Sequence, residues 1–174
     1  MLAMRRLMAF SILFLSSVML SHAQASTITF YAPGSMWKGL GAQEITVGTY
    51  NRVTFAGSVF DGDERMGWLR HGHFVSFQVT PGHHIFSASY SSKHPANNAT
   101  LPLDVEAGKN YFVGLRGKRY GALFVAYFAG IIEEKSCSEA FSEASGFEAA
   151  PSKWAAKEWR AKLINQPYFP KCDL

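Results

Sequence analysis

Alternation with a period of two residues dominates this chain. Phe86, Ala88 and Tyr90 alternate with Ser87, Ser89 and Ser91; Val75, Phe77 and Val79 alternate with Ser76 and Gln78; Leu101, Leu103 and Val105 alternate with Pro102 and Asp104. Successive side chains of an extended chain point to opposite sides, so each run predicts a strand with one apolar face, and the serines at 87, 89 and 91 read as the solvent side of theirs. Further strands are predicted at residues 27–31, 51–60, 65–70, 110–116 and 123–132. The last is apolar on both faces and so is expected at the centre of a sheet.

Turn chemistry separates the runs. Asp61-Gly62-Asp63-Glu64, Pro81-Gly82, Glu106-Ala107-Gly108-Lys109 and residues 117–121 place glycine or proline where the backbone must reverse. Pro102 inside a strand pattern predicts an edge strand, because proline has no N–H for a ladder. Units of about 8–12 residues per strand and turn predict a mainly β fold, an antiparallel, meander-like β-sandwich over residues 26–132. After Glu133 the pattern changes. Residues 136–144 and 152–164 are rich in Ala, Glu and Lys and predict two helices, the first stopped at Ser145-Gly146. Residues 133–174 are thus expected to be a helical tail packed on the sandwich.

The N-terminus changes the picture of where this domain works. Arg5 and Arg6 precede an apolar run from Leu7 to Leu20, and Ala23-Gln24-Ala25 supplies a small-x-small cleavage pattern, so residues 1–25 are expected to be a secretory signal peptide. The run of about 14 residues is short of the roughly 20 needed to span a bilayer as a helix, and no lipid-bearing cysteine follows it. No transmembrane segment and no lipid anchor are therefore expected after cleavage, and the expected location is the periplasm or the medium. The chain carries 17 Lys+Arg against 13 Asp+Glu, for a net charge of +4. Losing Arg5 and Arg6 lowers this to +2, which leaves no basic stripe for nucleic acid, and none is expected as a partner. Cys137 and Cys172 are the two cysteines, and in an oxidising compartment they are expected to pair, closing a loop of about 36 residues worth about 3–4 kcal/mol.

Candidate chemistry is sparse. His71, His73, His83, His84 and His94 fall in one window, and a zinc or copper site from His71, His73 and His94 is the metal reading they allow. If Pro81-Gly82 closes a hairpin, His83 and His84 lie at the far end of the preceding strand from His73, about 18–20 Å away, which argues against one site for all. Asp61, Asp63 and Glu64 are too short a cluster for a calcium loop of the helix-loop-helix kind. No Gly-x-Ser-x-Gly elbow and no phosphate-binding glycine loop occurs, so no catalytic residue is assigned and no cofactor is expected. Asn98-Ala99-Thr100 matches a glycosylation acceptor, but the leader reads as a bacterial one, and beside such a leader the match is expected to carry no meaning. Trp37, and Tyr120 beside Arg116, Lys118 and Arg119, are candidates for an exposed aromatic platform for sugar or peptide.

Val59-Phe60-Asp61-Gly62, Gly67-Trp68-Leu69, Gly72-His73-Phe74, Pro81-Gly82-His83-His84 and the run from Val105 to Val113 resemble the bacterial exported family known as domain of unknown function 2846. The resemblance covers residues 27–132. It implies a β-sandwich of the cell envelope with no agreed activity or site residues, although many members carry the lipid-bearing cysteine that this chain lacks. The function expected is a non-enzymatic binding or structural module, its partner an envelope component or another protein. An envelope metal protein and an enzyme of unfamiliar type are the alternatives. Intact-mass measurement of the protein from its native envelope fraction is expected to give a chain starting at Ser26, two hydrogens lighter before reduction than after; retained leader or free thiols contradict this reading.

Overall fold

The computed structural model describes residues 24–33, 52–53, 56–90, 93–95, 99–120 and 127–172, so all but the last two residues of the expected signal peptide 1–25 lie outside it. In chain order the elements are β1 (Ser26–Tyr31), β2 (Arg52–Val53), β3 (Ala56–Asp61), β4 (Glu64–Arg70), β5 (His73–Val79), β6 (Gly82–Ser89), β7 (Thr100–Val105), β8 (Asn110–Tyr120), β9 (Tyr127–Lys135), α1 (Cys137–Ala144), β10 (Glu148–Ala149) and β11 (Leu163–Ile164). β4, β3, β6 and β7 form one sheet in that order. The other runs from β10 and β11 through β5 and β1 to β8, which also carries β2 and β9. The described residues form a mainly β, sandwich-like fold with one helix near the C-terminal end.

The period-two pattern builds the interior. Ile28 and Phe30 of β1, Val75, Phe77 and Val79 of β5, and Val113 and Leu115 of β8 point inward, where they meet Val59, Met66, Leu69, Phe86 and Leu103 of the second sheet. The alternate positions Tyr31, Phe74 and Phe112 point the other way and form a second cluster with Ala140 and Ala144 of α1 and Phe169. The larger sheet is therefore covered on both faces.

Several expectations are met and several are corrected. Asp61 pairs with Glu64 across a two-residue hairpin whose Gly62 has φ 55°, a conformation that carries a steric cost for residues with a Cβ. β7, with Pro102, lies at the edge of its sheet as proline requires. The turn at Pro81-Gly82, however, closes no hairpin: β5 and β6 belong to different sheets, and the chain crosses between them there. Crossings also occur at His71-Gly72 and at residues 106–109, so the order departs from a plain meander. β1 and β8, moreover, pair in parallel, Thr27 opposite Asn110 through Tyr31 opposite Gly114. Ser87 and Ser89 are buried, not solvent-facing; they flank Phe60 and Ser58 across the β3–β6 pairing on a covered face. Alternation identifies two faces of a strand but not whether the polar one is wet. β9, expected to be central, pairs only with β8 among the described residues.

The tail forms α1 as expected, started by Ser136, whose hydroxyl accepts from the Glu139 N–H while the Glu139 carboxylate accepts from the Ser136 N–H. The second predicted helix does not form. Residues Ser152–Trp154 and Arg160–Lys162 are single 3₁₀ turns, and Ala155 between them is drawn into a bridge with Gly67 of β4. The Ala156 N–H donates to the Met66 carbonyl at 2.8 Å. Pairing with an open sheet edge outweighs the few tenths of a kcal/mol per residue that the composition gives a helix. Trp159 follows, 2% exposed and edge-on to Phe77 at 5.5 Å, and belongs to the inner core.

A Cβ added at Gly67 meets the Trp154 carbonyl oxygen at 3.1 Å and the Ala155 Cα at 3.3 Å, both backbone atoms. Gly67→Ala is expected to destabilise the protein by about 1–3 kcal/mol in urea unfolding, as overpacking does. Gly146→Ala, whose added Cβ has nothing within 4 Å, is expected to leave stability nearly unchanged.

Candidate functional site

β5 is paired along its whole length by β1 on one side, from Ser26 opposite Val79 to Tyr31 opposite Phe74. Its other side is shared by two short strands. β10 runs parallel to it at His73 and Phe74, and β11 antiparallel at Ser76 and Phe77. The Ala150 N–H donates to the Phe74 carbonyl at 2.7 Å, after which the chain leaves and returns only at Leu163. Two strands of opposite direction share this edge, and Val75 between them has no partner in either. The gap between the two strands is a cleft of about 290 Å³, floored by Phe74, Val75 and Ser76 and walled by Ala149, Ala150 and residues 163–167.

The cleft is apolar with a polar corner. Ser76 Oγ lies 2.8 Å from Thr29 Oγ1 and accepts a hydrogen bond from Gln166 Nε2 at 2.8 Å. Thr29 and Ser76 are both buried, so this chain of hydroxyls and one amide satisfies groups that would otherwise be costly inside. None of the residues lining the cleft is titratable. Such a lining can hold an uncharged molecule, and it contains no carboxylate, imidazole, amine or thiol for general acid–base work.

The outer wall is fixed from behind. Phe169, 3% exposed, is wedged among Tyr31, Phe74 and Phe112 at ring distances of 5.5, 5.4 and 5.9 Å. Three residues on, Cys172 is joined to Cys137 in the first turn of α1, with 5.7 Å between their Cα atoms, as the sequence predicts. α1 is held to the sheet by Glu143, which accepts from the Tyr31 hydroxyl at 3.0 Å and pairs with Arg116. Tyr31 is fully buried; burial, followed by the adjacent Glu143 carboxylate, pushes its hydroxyl well above the usual tyrosine range.

The histidine window is distributed, not gathered. His71 lies in the β4–β5 crossing, and His73 packs against Trp154 at 5.1 Å with Arg70 over the same indole. His83 Nδ1 is 2.7 Å from Asp104 on β7. His84 is bracketed by Asp61 Oδ2 at 2.7 Å and the Thr80 carbonyl at 2.9 Å, its ring stacked on Phe86. Among the described residues no group of three or more His, Cys, Asp and Glu side chains is placed to hold a metal ion, so His71, His73 and His94 are not brought together. Asp61 serves His84, while Asp63 and Glu64 are exposed at the hairpin. Of the aromatic platform, Arg116 is engaged by Glu143, whereas Trp37 and the side chains of Lys118, Arg119 and Tyr120 lie outside the description. No helix among the described residues is long and apolar enough to cross a membrane.

Sequence reasoning missed the cleft because two-residue strands leave no periodic trace. Pro151, where the chain leaves β5, and Pro167, three residues past the end of β11, are the available signal. Compared with protein-family models, with curated proteins and with solved structures, the chain matches none.

The raised Tyr31 hydroxyl has a consequence for alkaline stability. In the unfolded chain a tyrosine ionises near pH 10, whereas in the folded protein Tyr31 keeps its proton well above that. Its contribution is therefore complete below about pH 10 and is lost as pH rises beyond it, because the unfolded state then releases a proton that the folded state holds. Tyr31→Phe is expected to flatten the fall in unfolding free energy above pH 10, measured by urea titration at stepped pH. An unchanged slope contradicts the assignment.

Proposed function

We propose that this protein is an exported, non-enzymatic binding module of the bacterial cell envelope, and that it takes a small uncharged ligand in the cleft beside β5. The observation that carries the reading is the lining of that cleft. It is apolar, about 290 Å³ in volume and free of titratable groups, with the Gln166 amide and the Ser76 hydroxyl at one corner. Ligand pockets commonly begin near 300 Å³ and combine mostly apolar walls with a few placed polar groups. A charged ligand is disfavoured, since no lining residue carries an opposite charge to offset its lost hydration.

The envelope setting is supported by the leader-like segment 1–25, the Cys137–Cys172 bridge and the resemblance of residues 27–132 to the exported family of unknown function. A disulfide is compatible with an oxidising compartment.

The test is an amide-resolved NMR titration of the oxidised protein with N-acetyl-leucinamide, which is neutral and branched, against free leucine, which carries two charges. Shifts at Ser76, Ala150, Asn165 and Gln166 with the first and not the second are expected, with affinity in the millimolar range. Ala149→Trp, which puts a bulky ring on an exposed wall position, is expected to abolish them. Equal responses to both probes, or shifts confined elsewhere, contradict the cleft as the site.

A further inference from the structure

We propose that the Cys137–Cys172 disulfide is a thiol-sensitive latch on the cleft, holding residues 165–172 as its outer strap. The inference rests on the reading of the cleft as the binding site and adds control to it. The argument comes from an uneven distribution of anchors along the tail. Residues 148–164 are held many times over: by β10 on β5, by the Gly67–Ala155 bridge, by the Ala156 to Met66 hydrogen bond, by buried Trp159 and by β11. Beyond Ile164 the described anchors are three: the Gln166 to Ser76 hydrogen bond, the Phe169 wedge and the disulfide. Asn165, Gln166 and Pro167 in this stretch are walls of the cleft.

The bridge thus closes over the least supported segment, and the inner core between the two sheets is built without it. Both cysteines are only half-buried. A thiolate of a dithiol attacks Cys172 Sγ, the sulfur–sulfur bond breaks, and Cys137 departs as a thiolate at the first position of α1, the end of a helix dipole that favours negative charge. The second thiol of the reductant then attacks its own sulfur in the mixed disulfide. Cys172 is released, the reductant leaves as a cyclic disulfide, and protons from solvent complete two protein thiols. One bridge is reduced and one dithiol oxidised. With the covalent tie gone, the strap depends on Phe169 and one hydrogen bond, and it opens locally without loss of the sandwich.

Hydrogen exchange followed by mass spectrometry, with and without dithiothreitol, tests this and needs no ligand. Peptides covering residues 165–172 are expected to exchange about tenfold faster on reduction, with β1 and β8 unchanged, and Cys172→Ser is expected to reproduce this without reductant. Unchanged exchange in the strap overturns the latch. Acceleration of β1 and β8 together with the strap also overturns it, making the bridge a staple of the whole fold. The N-acetyl-leucinamide titration is repeated on both forms. A weaker response in the reduced form is expected; an equal response in both forms means that the strap does not gate the cleft and overturns the proposal. Absence of response in either form removes the ligand reading while leaving the exchange result to decide the latch.

Discussion

A sheet edge left open presents a row of N–H and C=O groups that must find partners, and the fold of this protein is arranged around one such edge. Without the two short tail strands β5 would end the larger sheet, β4 ends the smaller among the described residues, and the tail is threaded past both. β10 and β11 satisfy β5, the Gly67–Ala155 bridge satisfies part of β4, and Trp159 fills the space between the sheets at that side. The requirement to pair an edge explains why a segment of helical composition is extended, why Gly67 has no side chain to obstruct the approach, and why a cleft remains where two opposed strands share one partner.

The second face of the larger sheet follows from the same arrangement. Having capped the edge, the chain turns over Tyr31, Phe74 and Phe112, three aromatics that alternation places away from the inner core. An eight-residue helix is too short to be stable alone. Here α1 is supported by that aromatic surface, by a Ser136–Glu139 cap, by the Glu143 contacts with Tyr31 and Arg116, and by the covalent tie to Cys172.

How much of this is legible in the sequence depends on the range over which each residue acts. Strands such as β5 and β7, the Asp61-Gly62 hairpin, the edge position of Pro102 and the cysteine pair are read correctly because their signals are local or have a single partner. The sheet crossings at Pro81-Gly82 and residues 106–109 are not distinguishable from hairpins, since the same turn residues serve both. Ser87 and Ser89 mislead because a polar side chain on an alternating strand can still face a covered side. Residues 152–164 mislead because Ala155 and Ala156 are excellent helix formers whose conformation is set by Gly67 and Met66, nearly ninety positions earlier. The cleft is invisible for the same reason: its floor and walls are two distant stretches of chain, and the pair of two-residue strands that define it has no period.

The placement of β1 bears on the order in which the molecule can assemble. This strand comes earliest in the described chain yet lies in the interior of its sheet, antiparallel to β5 on one side and parallel to β8 on the other, and the Ser26 hydroxyl reaches the Glu106 carbonyl across 80 positions. Parallel neighbours so far apart in sequence close late, since a long loop must be ordered before the pairing rewards it. The strand that leads synthesis therefore waits for one made much later. Until β8 is available the larger sheet is split down its middle, and the nascent chain stays open and threadable.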